Sequence, residues 1–277
     1  ILTSDEALQL KKLPKSMLIV GGGVIGIEWA SMMSDFGVNV TVIEFAPTIL
    51  PAEDEEIAKE MQQLLQKKNI TIATNAKLLP ETFIKGDGQI IVKAMVNGDE
   101  KSFAAEKMLL SIGRLANVEG IGLENTEIEI KSGYIETNEH YQTKESHIYA
   151  IGDCIGGLQL AHVASHEGVA AAEHIAGIAR ESVSHQIIPK CVYSHPEIAS
   201  IGLTEADARV KGYEMKIGKF PFKAVGKALI LGESDGFVKI IADRKTNDLL
   251  GVHMIGPRVT DLISEAGLAK VLDAVPW

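Results

Sequence analysis

Three glycines and one acid carry the clearest chemistry in the sequence. Gly21, Gly23 and Gly26 stand at G-x-G-x-x-G spacing, directly after the apolar run Met17-Leu18-Ile19-Val20. In such a motif the first glycine allows a tight turn out of a strand. The second lets backbone approach a pyrophosphate with no Cβ in the way, and the third lets a helix pack close to the strand. The helix that follows offers free N–H groups and the positive end of its dipole to phosphate. Glu44 lies roughly 20 residues further on, where a carboxylate accepts hydrogen bonds from adenosine ribose hydroxyls. No Arg or Lys follows it through Phe45-Ala46-Pro47-Thr48, and a carboxylate repels a 2′-phosphate. The pattern therefore favours NAD(H) over NADP(H).

Other reactive residues are less specific. Asp153 follows Gly152 after an apolar run, and reads either as a ligand-binding carboxylate or as a turn or capping residue. His162 and His166 share a helix face at i, i+4, but no third ligand and no H-E-x-x-H pattern accompanies them, so a metal site is not expected. His195-Pro196-Glu197 has the residue types of an acid–base pair. Adjacent residues across a proline seldom converge on one proton, so the tripeptide reads as structural. The two cysteines, Cys154 and Cys191, form no C-x-x-C pair and no disulfide framework.

Residues 1–15 are a lead-in. A strand at 16–20 feeds the glycines, a helix runs from about Val24 to Phe36 and stops at Gly37, and Val38–Ile43 is a second strand. Ile57, Met61, Leu64 and Leu65 fall on one helix face, with Asp54, Glu55 and Glu56 in its first turn and Lys67 and Lys68 in its last. Ile70-Thr71-Ile72 completes a βαβαβ half-unit. Antiparallel material follows: Gln89–Val96, a turn at Asn97-Gly98-Asp99, and Lys101–Ala104. A strand over Lys107–Ile112 ends at Gly113-Arg114, where Gly113 either admits a ligand edge or simply turns the chain.

From Asn117 to Lys144 the chain is loop-rich, with short strands near Ile128 and Tyr134-Ile135. A buried strand is expected over His147–Ile151, with Asp153 at its carboxyl end, and a helix from about Ala161 to Arg180. Gln186–Pro189 reads as a domain junction. Beyond it the pattern is α+β, with a short helix starting at Thr204, strands at 216–222, 237–243 and 249–255, and a helix from about Val259 to Leu272.

Composition bounds the partners. At 277 residues the chain can bury a sizeable core over about two domains. A net charge of −10 argues against nucleic acid and anionic membranes. No apolar run approaches the roughly 18–20 residues of a membrane span. Sparse cysteine fits a reducing, cytoplasmic type of compartment. The chain starts at Ile1 without Met or signal peptide, and both ends read as cut from something longer.

Four segments together resemble one family. They are the glycine motif, Ile148-Tyr149-Ala150-Ile151-Gly152-Asp153, Ile188-Pro189-Lys190-Cys191-Val192-Tyr193-Ser194-His195-Pro196-Glu197, and Gly251-Val252-His253-Met254-Ile255-Gly256-Pro257. The chain is similar over essentially its whole length to the class I flavin-dependent disulfide oxidoreductases. The branch that oxidises dihydrolipoyl groups is the most similar; the mercuric reductase and NADH oxidase branches are the alternatives.

The resemblance implies an α/β fold: a Rossmann-like NAD-binding domain with a parallel sheet over 1–115, a central FAD-side α/β segment over 116–187, and a truncated α+β dimer-interface domain over 188–277. It implies that Gly21, Gly22, Gly23, Val24, Ile25, Gly26, Ile27, Glu28, Glu44, Leu78 and Gly113 line an NAD site. Asp153 is then the carboxylate that holds the flavin ribityl chain. Gln159, Leu160, Ala161 and His162 become a flavin-contacting loop and helix start, although the family more often has Met where Gln159 stands. A homodimer, FAD in the intact protein, and lipoyl domains of a 2-oxoacid dehydrogenase complex as partners follow from the same resemblance.

The departures are equally specific. The family's first G-x-G-x-x-G, its C-x-x-x-x-C redox pair and its H-P-x-x-x-E acid–base segment are all absent. No catalytic residue is therefore expected, and the chain by itself is expected to be colourless and inactive. A non-catalytic NAD-binding and dimerisation module that works as it stands is the reading from a different class.

Overall fold

A computed structural model describes residues 1–86, 88–178 and 187–276. The helix expected to reach about Arg180 ends instead at Ile175, capped by Ala176 with Gly177 at φ +74. Arg180 itself, the start of the junction at Gln186 and the terminal Trp277 lie outside the described residues. The chain divides into two compact units, Ile1–Ile112 with Pro189–Trp277, and Gly113–Ile188.

The first unit opens with a short helix, α1 (Ser4–Ala7), and then β1 (Ser16–Val20), α2 (Val24–Asp35), β2 (Asn39–Ile43), α3 (Glu55–Lys67) and β3 (Thr71–Ala73). A hairpin-linked set follows: β4 (Ala76–Lys85), β5 (Ile90–Val96) and β6 (Asp99–Ala105), and then β7 (Lys107–Leu110). The parallel sheet has the order β3-β2-β1-β7. Both its faces are covered, which is why β1 reads as an unbroken apolar run. Met17 and Ile19 pack toward Ile27, Ala30 and Met33 of α2 and Ile57, Met61 and Leu65 of α3. Leu18 and Val20 join Ile90, Val92, Ala94 and Val96 of the antiparallel sheet β4-β5-β6.

The ten-residue β4 is absent from the sequence-based expectation. Pro80 interrupts its pattern, and its pairing with β5 shifts register between Leu79 and Ile84. A run broken in this way loses the strict alternation by which strands are recognised.

The second unit has a two-stranded hairpin, β8 (Ile130–Lys131) and β9 (Tyr134–Ile135), and one long helix, α4 (Ala161–Ile175). Val118, Ile135 and Ala150 form its small core. Here one expectation fails. Residues 147–151 form no strand: His147 lies in a turn, and the rest make one antiparallel bridge, Tyr149 to Gln142. The neighbouring backbone bonds go to the adjoining turn, with the Thr143 N–H donating to the Ile148 carbonyl (3.0 Å) and the Ala150 N–H to the Tyr141 carbonyl (3.0 Å). Among the described residues no other segment completes a ladder, and Ile151 stays 37% exposed. Asp153 accordingly sits in a 3-10 turn, Gly152–Ile155, not at a strand end.

The closing part of the first unit is α+β: β10 (Lys190–Val192), β11 (Glu197–Gly202), α5 (Glu205–Val210), β12 (Met215–Pro221), α6 (Gly226–Leu231), β13 (Phe237–Asp243), β14 (Leu249–Gly256) and α7 (Val259–Val271). Its antiparallel sheet has the order β10-β11-β14-β13-β12. One face packs Ala199, Ile201, Val252 and Met254 against Val259 and Ile263 of α7. From the other face Val192, Ile198 and Ile255 enter the same core as α2 and α3.

Candidate functional site

The end of β1 is shaped by the absence of side chains. Gly21 has φ +107, and a Cβ there would lie 2.3 Å from the carbonyl oxygen of Ser111, just beyond β7. A Cβ on Gly26 would lie 1.9 Å from the Gly21 carbonyl oxygen, so only glycine lets α2 seat against the turn. A Cβ on Gly23 would meet nothing within 4 Å. The space in front of Gly23 is open, and Gly23 itself is the N-cap of α2 with no side chain capping the helix. Such a terminus presents unsatisfied N–H groups and a positive dipole end, which together suit a pyrophosphate. Ser111, which no sequence motif marks, secures the turn: its hydroxyl lies 3.0 Å from the Val20 carbonyl and 3.1 Å from that of Gly21.

Glu44 follows the last residue of β2. Its carboxylate accepts from the Gly22 N–H at 2.5 Å and the Ala46 N–H at 2.6 Å. A carboxylate has about four lone-pair sites, so two bonds leave capacity for ribose hydroxyls. The following loop closes under the glycines, with the Leu50 N–H donating to the Gly22 carbonyl (2.8 Å) and Ile49 fully buried beside Gly22. Gly21, Gly22, Gly23, Gly26 and Glu44 thus gather at the carboxyl ends of β1 and β2. Val24 is exposed and Ile25 half-buried on the first turn of α2.

Other residues of the same stretch turn elsewhere. Ile27 is fully buried in the core. Glu28 accepts the Tyr193 N–H at 2.8 Å. Burial raises its pKa, and the Tyr193 bond only partly offsets this. Leu78, on β4, packs half-buried against the cluster that holds Val20 and Ile43. His195-Pro196-Glu197 has a scaffold role, as its sequence suggests. The His195 N–H donates to the Ser31 hydroxyl (2.9 Å), and Glu197 accepts from the N–H (3.1 Å) and hydroxyl (2.6 Å) of Thr260 at the start of α7.

In the second unit, Gly113 has φ +144 and open space around it. Arg114 Nε lies 3.8 Å from Asp153 Oδ2, both side chains being about half exposed. Gln159 holds φ +47, and its buried Nε2 has no hydrogen-bond partner among the described residues. Leu160 N-caps α4 without a side-chain cap, and Ala161 and His162 lie exposed on the first turn. An exposed carboxylate, an orphaned amide donor and an uncapped helix start all suit a polar ligand such as the flavin chain, so this donor set fits that group.

The feature that sequence reasoning misses entirely is a buried cation. Lys239 is 1% exposed, and its Nζ lies 2.9 Å from both oxygens of Asp54, 2.8 Å from Glu205 and 2.8 Å from Glu56. Burial alone would lower its pKa; the hydrogen bonds it donates to Glu205, Glu56 and Asp54 outweigh that and hold it well above the ordinary lysine range. Burial would likewise raise Asp54, but Lys239 holds it below the usual carboxylate range. Asp54 also N-caps α3 through the Glu56 N–H (3.1 Å). The cluster thus ties β13 to the start of α3, directly after the loop beneath the glycines. The sequence does carry a signal: Lys239 keeps phase with Phe237 and Ile241, on a strand face that otherwise reads as core. A cleft of about 1470 Å³ runs over this cluster along α3, and none of the glycines lines it.

Known proteins resemble the chain along its whole length. The sequence pattern of the family described as pyridine nucleotide-disulphide oxidoreductase matches residues 1–168, and that of the same family's dimerisation domain matches 188–275. A dihydrolipoyl dehydrogenase of Bacillus subtilis is 65% identical over all 277 residues, and one of Mycobacterium tuberculosis is 40% identical over 275. The chain spans 58% and 59% of those two relatives. Among solved structures, LpdA from Mycobacterium tuberculosis superposes with a TM-score of 0.89 at 27% identity, over 99% of this chain and 59% of that one. The HOCl-induced flavoprotein disulfide reductase RclA from Escherichia coli gives 0.90 at 26% identity, over 99% and 62%.

Proposed function

The chain belongs to the pyridine nucleotide-disulphide oxidoreductase family, and from that premise we propose that it is part of a dihydrolipoyl dehydrogenase. The intact protein then oxidises protein-bound dihydrolipoyl groups of a 2-oxoacid dehydrogenase complex and reduces NAD⁺. The observation that carries this reading is the 65% identity to the Bacillus subtilis enzyme, sustained over every residue of the chain.

In this reading the backbone at Gly21–Gly26 and the start of α2 take the NAD pyrophosphate. Glu44 accepts from the adenosine ribose and its charge disfavours a 2′-phosphate. Leu78, on β4, lines the nucleotide site. Asp153 hydrogen-bonds the flavin ribityl chain, and Gln159–His162 supply donors beside it. FAD, when bound, provides the two-electron relay between thiols and nicotinamide. Cys154 and Cys191 are both free thiols and stand outside any C-x-x-x-x-C pair. The side chains of this chain bind and orient, in a homodimeric cytoplasmic enzyme, and turn nothing over by themselves.

The test is steady-state oxidation of dihydrolipoamide by the full-length protein with NAD⁺ and with NADP⁺. The expected outcome is turnover that prefers NAD⁺, with the preference narrowed roughly tenfold in Glu44→Ala, the equivalent of about 1.4 kcal/mol. Absence of dihydrolipoamide turnover in a flavin-loaded preparation contradicts the proposal.

A further inference from the structure

A flavin-binding role for Asp153 requires that something aim its carboxylate, and α4 supplies it. Glu167 is a buried carboxylate, 5% exposed, in the middle of that helix. Its Oε2 accepts the Gly152 N–H at 2.7 Å. Gly152 is the first residue of the 3-10 turn and immediately precedes Asp153. Neighbouring positions press on the same turn. A Cβ on Gly152 would lie 3.1 Å from the Ala164 Cβ, and a Cβ on Gly168 would lie 3.1 Å from Ile151 Cδ1. Ala164, Glu167 and Gly168 are spaced i, i+3, i+4, one helix face. Only the Glu167 contact is directional; the others merely limit approach. The same helix begins at the uncapped Leu160–Ala161 terminus, beside the orphaned Gln159 amide. Through Glu167 the helix that begins at Leu160–Ala161 is thus bonded to the turn that carries Asp153.

We propose that Glu167 is a positioning residue for flavin binding: it sets the Asp153 turn against α4, so that the carboxylate and the helix start engage the flavin chain together. The inference rests on the reading of Asp153 as the flavin carboxylate. Loss of a hydrogen bond to a buried carboxyl oxygen is enough to weaken a preorganised site about tenfold. Glu167→Leu removes the acceptor. Glu167→Gln keeps a carbonyl oxygen that can still take the Gly152 N–H.

The test uses the full-length protein stripped of flavin. The dissociation constant for FAD is measured by flavin fluorescence, the bound visible spectrum is recorded, and melting of the flavin-free protein is followed in parallel. The expected result is about tenfold weaker FAD binding in Glu167→Leu with an altered bound spectrum, recovery to near wild type in Glu167→Gln, and loss of affinity in Asp153→Asn. A purely structural role for Glu167 lowers melting but leaves FAD affinity and spectrum unchanged, and that result overturns the proposal. If Asp153→Asn binds FAD like wild type, the reading of Asp153 falls and the proposal with it. If only Asp153→Asn is weakened, that reading stands and the role of Glu167 is refuted. Should Glu167→Leu fail to fold, Gly152→Ala carries the test. Gly152 has φ +74, and an alanine there keeps its N–H but strains the turn. The variant is therefore read together with Glu167→Asp, whose shorter side chain withdraws the acceptor; wild-type FAD affinity in Glu167→Asp also overturns the proposal.

Discussion

The glycine turn at residues 21–26 and the Asp153 turn at residues 152–155 each present polar groups at the end of an extended segment, yet they differ in how far the chain completes them. Around the glycines every element has its partner. The Gly21 N–H reaches the Ile43 carbonyl (2.8 Å), Glu44 takes the Gly22 N–H, Leu50 closes from below and Ser111 from the side. What stays open there is the space before Gly23 and the start of α2. Around Asp153, among the described residues, the preceding segment has one bridge, the carboxylate is about half exposed with Arg114 Nε at 3.8 Å, and a buried amide donor lacks a partner. We propose that this contrast separates a site from part of one. In a finished site the polar groups left over all face one cavity of the right chemistry. In a partial site the scaffold itself has unmet bonds.

The largest expected effect strikes the support of the finished site. Lys239→Met leaves Asp54 buried and unpaired beneath the loop that backs the glycines, and should destabilise the chain by roughly 3–5 kcal/mol. Adding Asp54→Leu should return part of that loss, because the double change removes both charges. The pH dependence follows from the two shifts. Asp54 is lowered on folding, so its contribution is present above the ordinary carboxylate pKa near about 4 and fades as pH falls through its lower folded value. Lys239 is raised, so its contribution is full below about pH 10 and fades as pH rises through its higher folded value. Urea melts of wild type and Lys239→Met should therefore converge at acid pH, where Asp54 is protonated in both, and diverge as pH rises, the margin levelling off only above the raised pKa that burial gives the unpaired Asp54 in the variant. A margin under about 1 kcal/mol at neutral pH would place the cluster among ordinary surface pairs.

A smaller pair of changes separates shape from ligand space. Gly26→Ala puts a Cβ into the Gly21 carbonyl and should cost about 1–3 kcal/mol of stability along with nucleotide affinity. Gly23→Ala adds a Cβ to open space, so melting should shift by no more than about 0.5 kcal/mol while NADH binding weakens roughly tenfold. Equal losses of stability in both variants would erase the distinction between the two glycines.

How legible these regions are in sequence follows the same division. The βαβ end can be read because its signals are local: an apolar run, glycines at fixed spacing, a helix stop at Gly37 and an acid after the second strand. The open space at Gly23 and the close approach at Gly26 agree with the steric roles assigned from spacing. Residues 147–151 mislead, because an apolar extended run announces a strand whether or not a neighbour exists to pair with it. β4 is hidden by Pro80 and a register shift. The partners of Glu167 and Lys239 are invisible for a third reason, although the phase of Lys239 on its strand marks it as buried. Each makes its defining bond to a residue far along the chain or on another element, 15 positions away for Gly152 and 185 for Asp54, and spacing carries no record of such bonds.

We infer that these 277 residues hold one complete nucleotide site and one incomplete flavin site. Calorimetric titration of this chain with NADH and, separately, with FAD decides the matter. A saturable one-to-one heat is expected with NADH and none with FAD at concentrations up to about 1 mM, the range of weak specific binding. FAD binding more tightly than NADH, or no NADH heat at all, would contradict the inference.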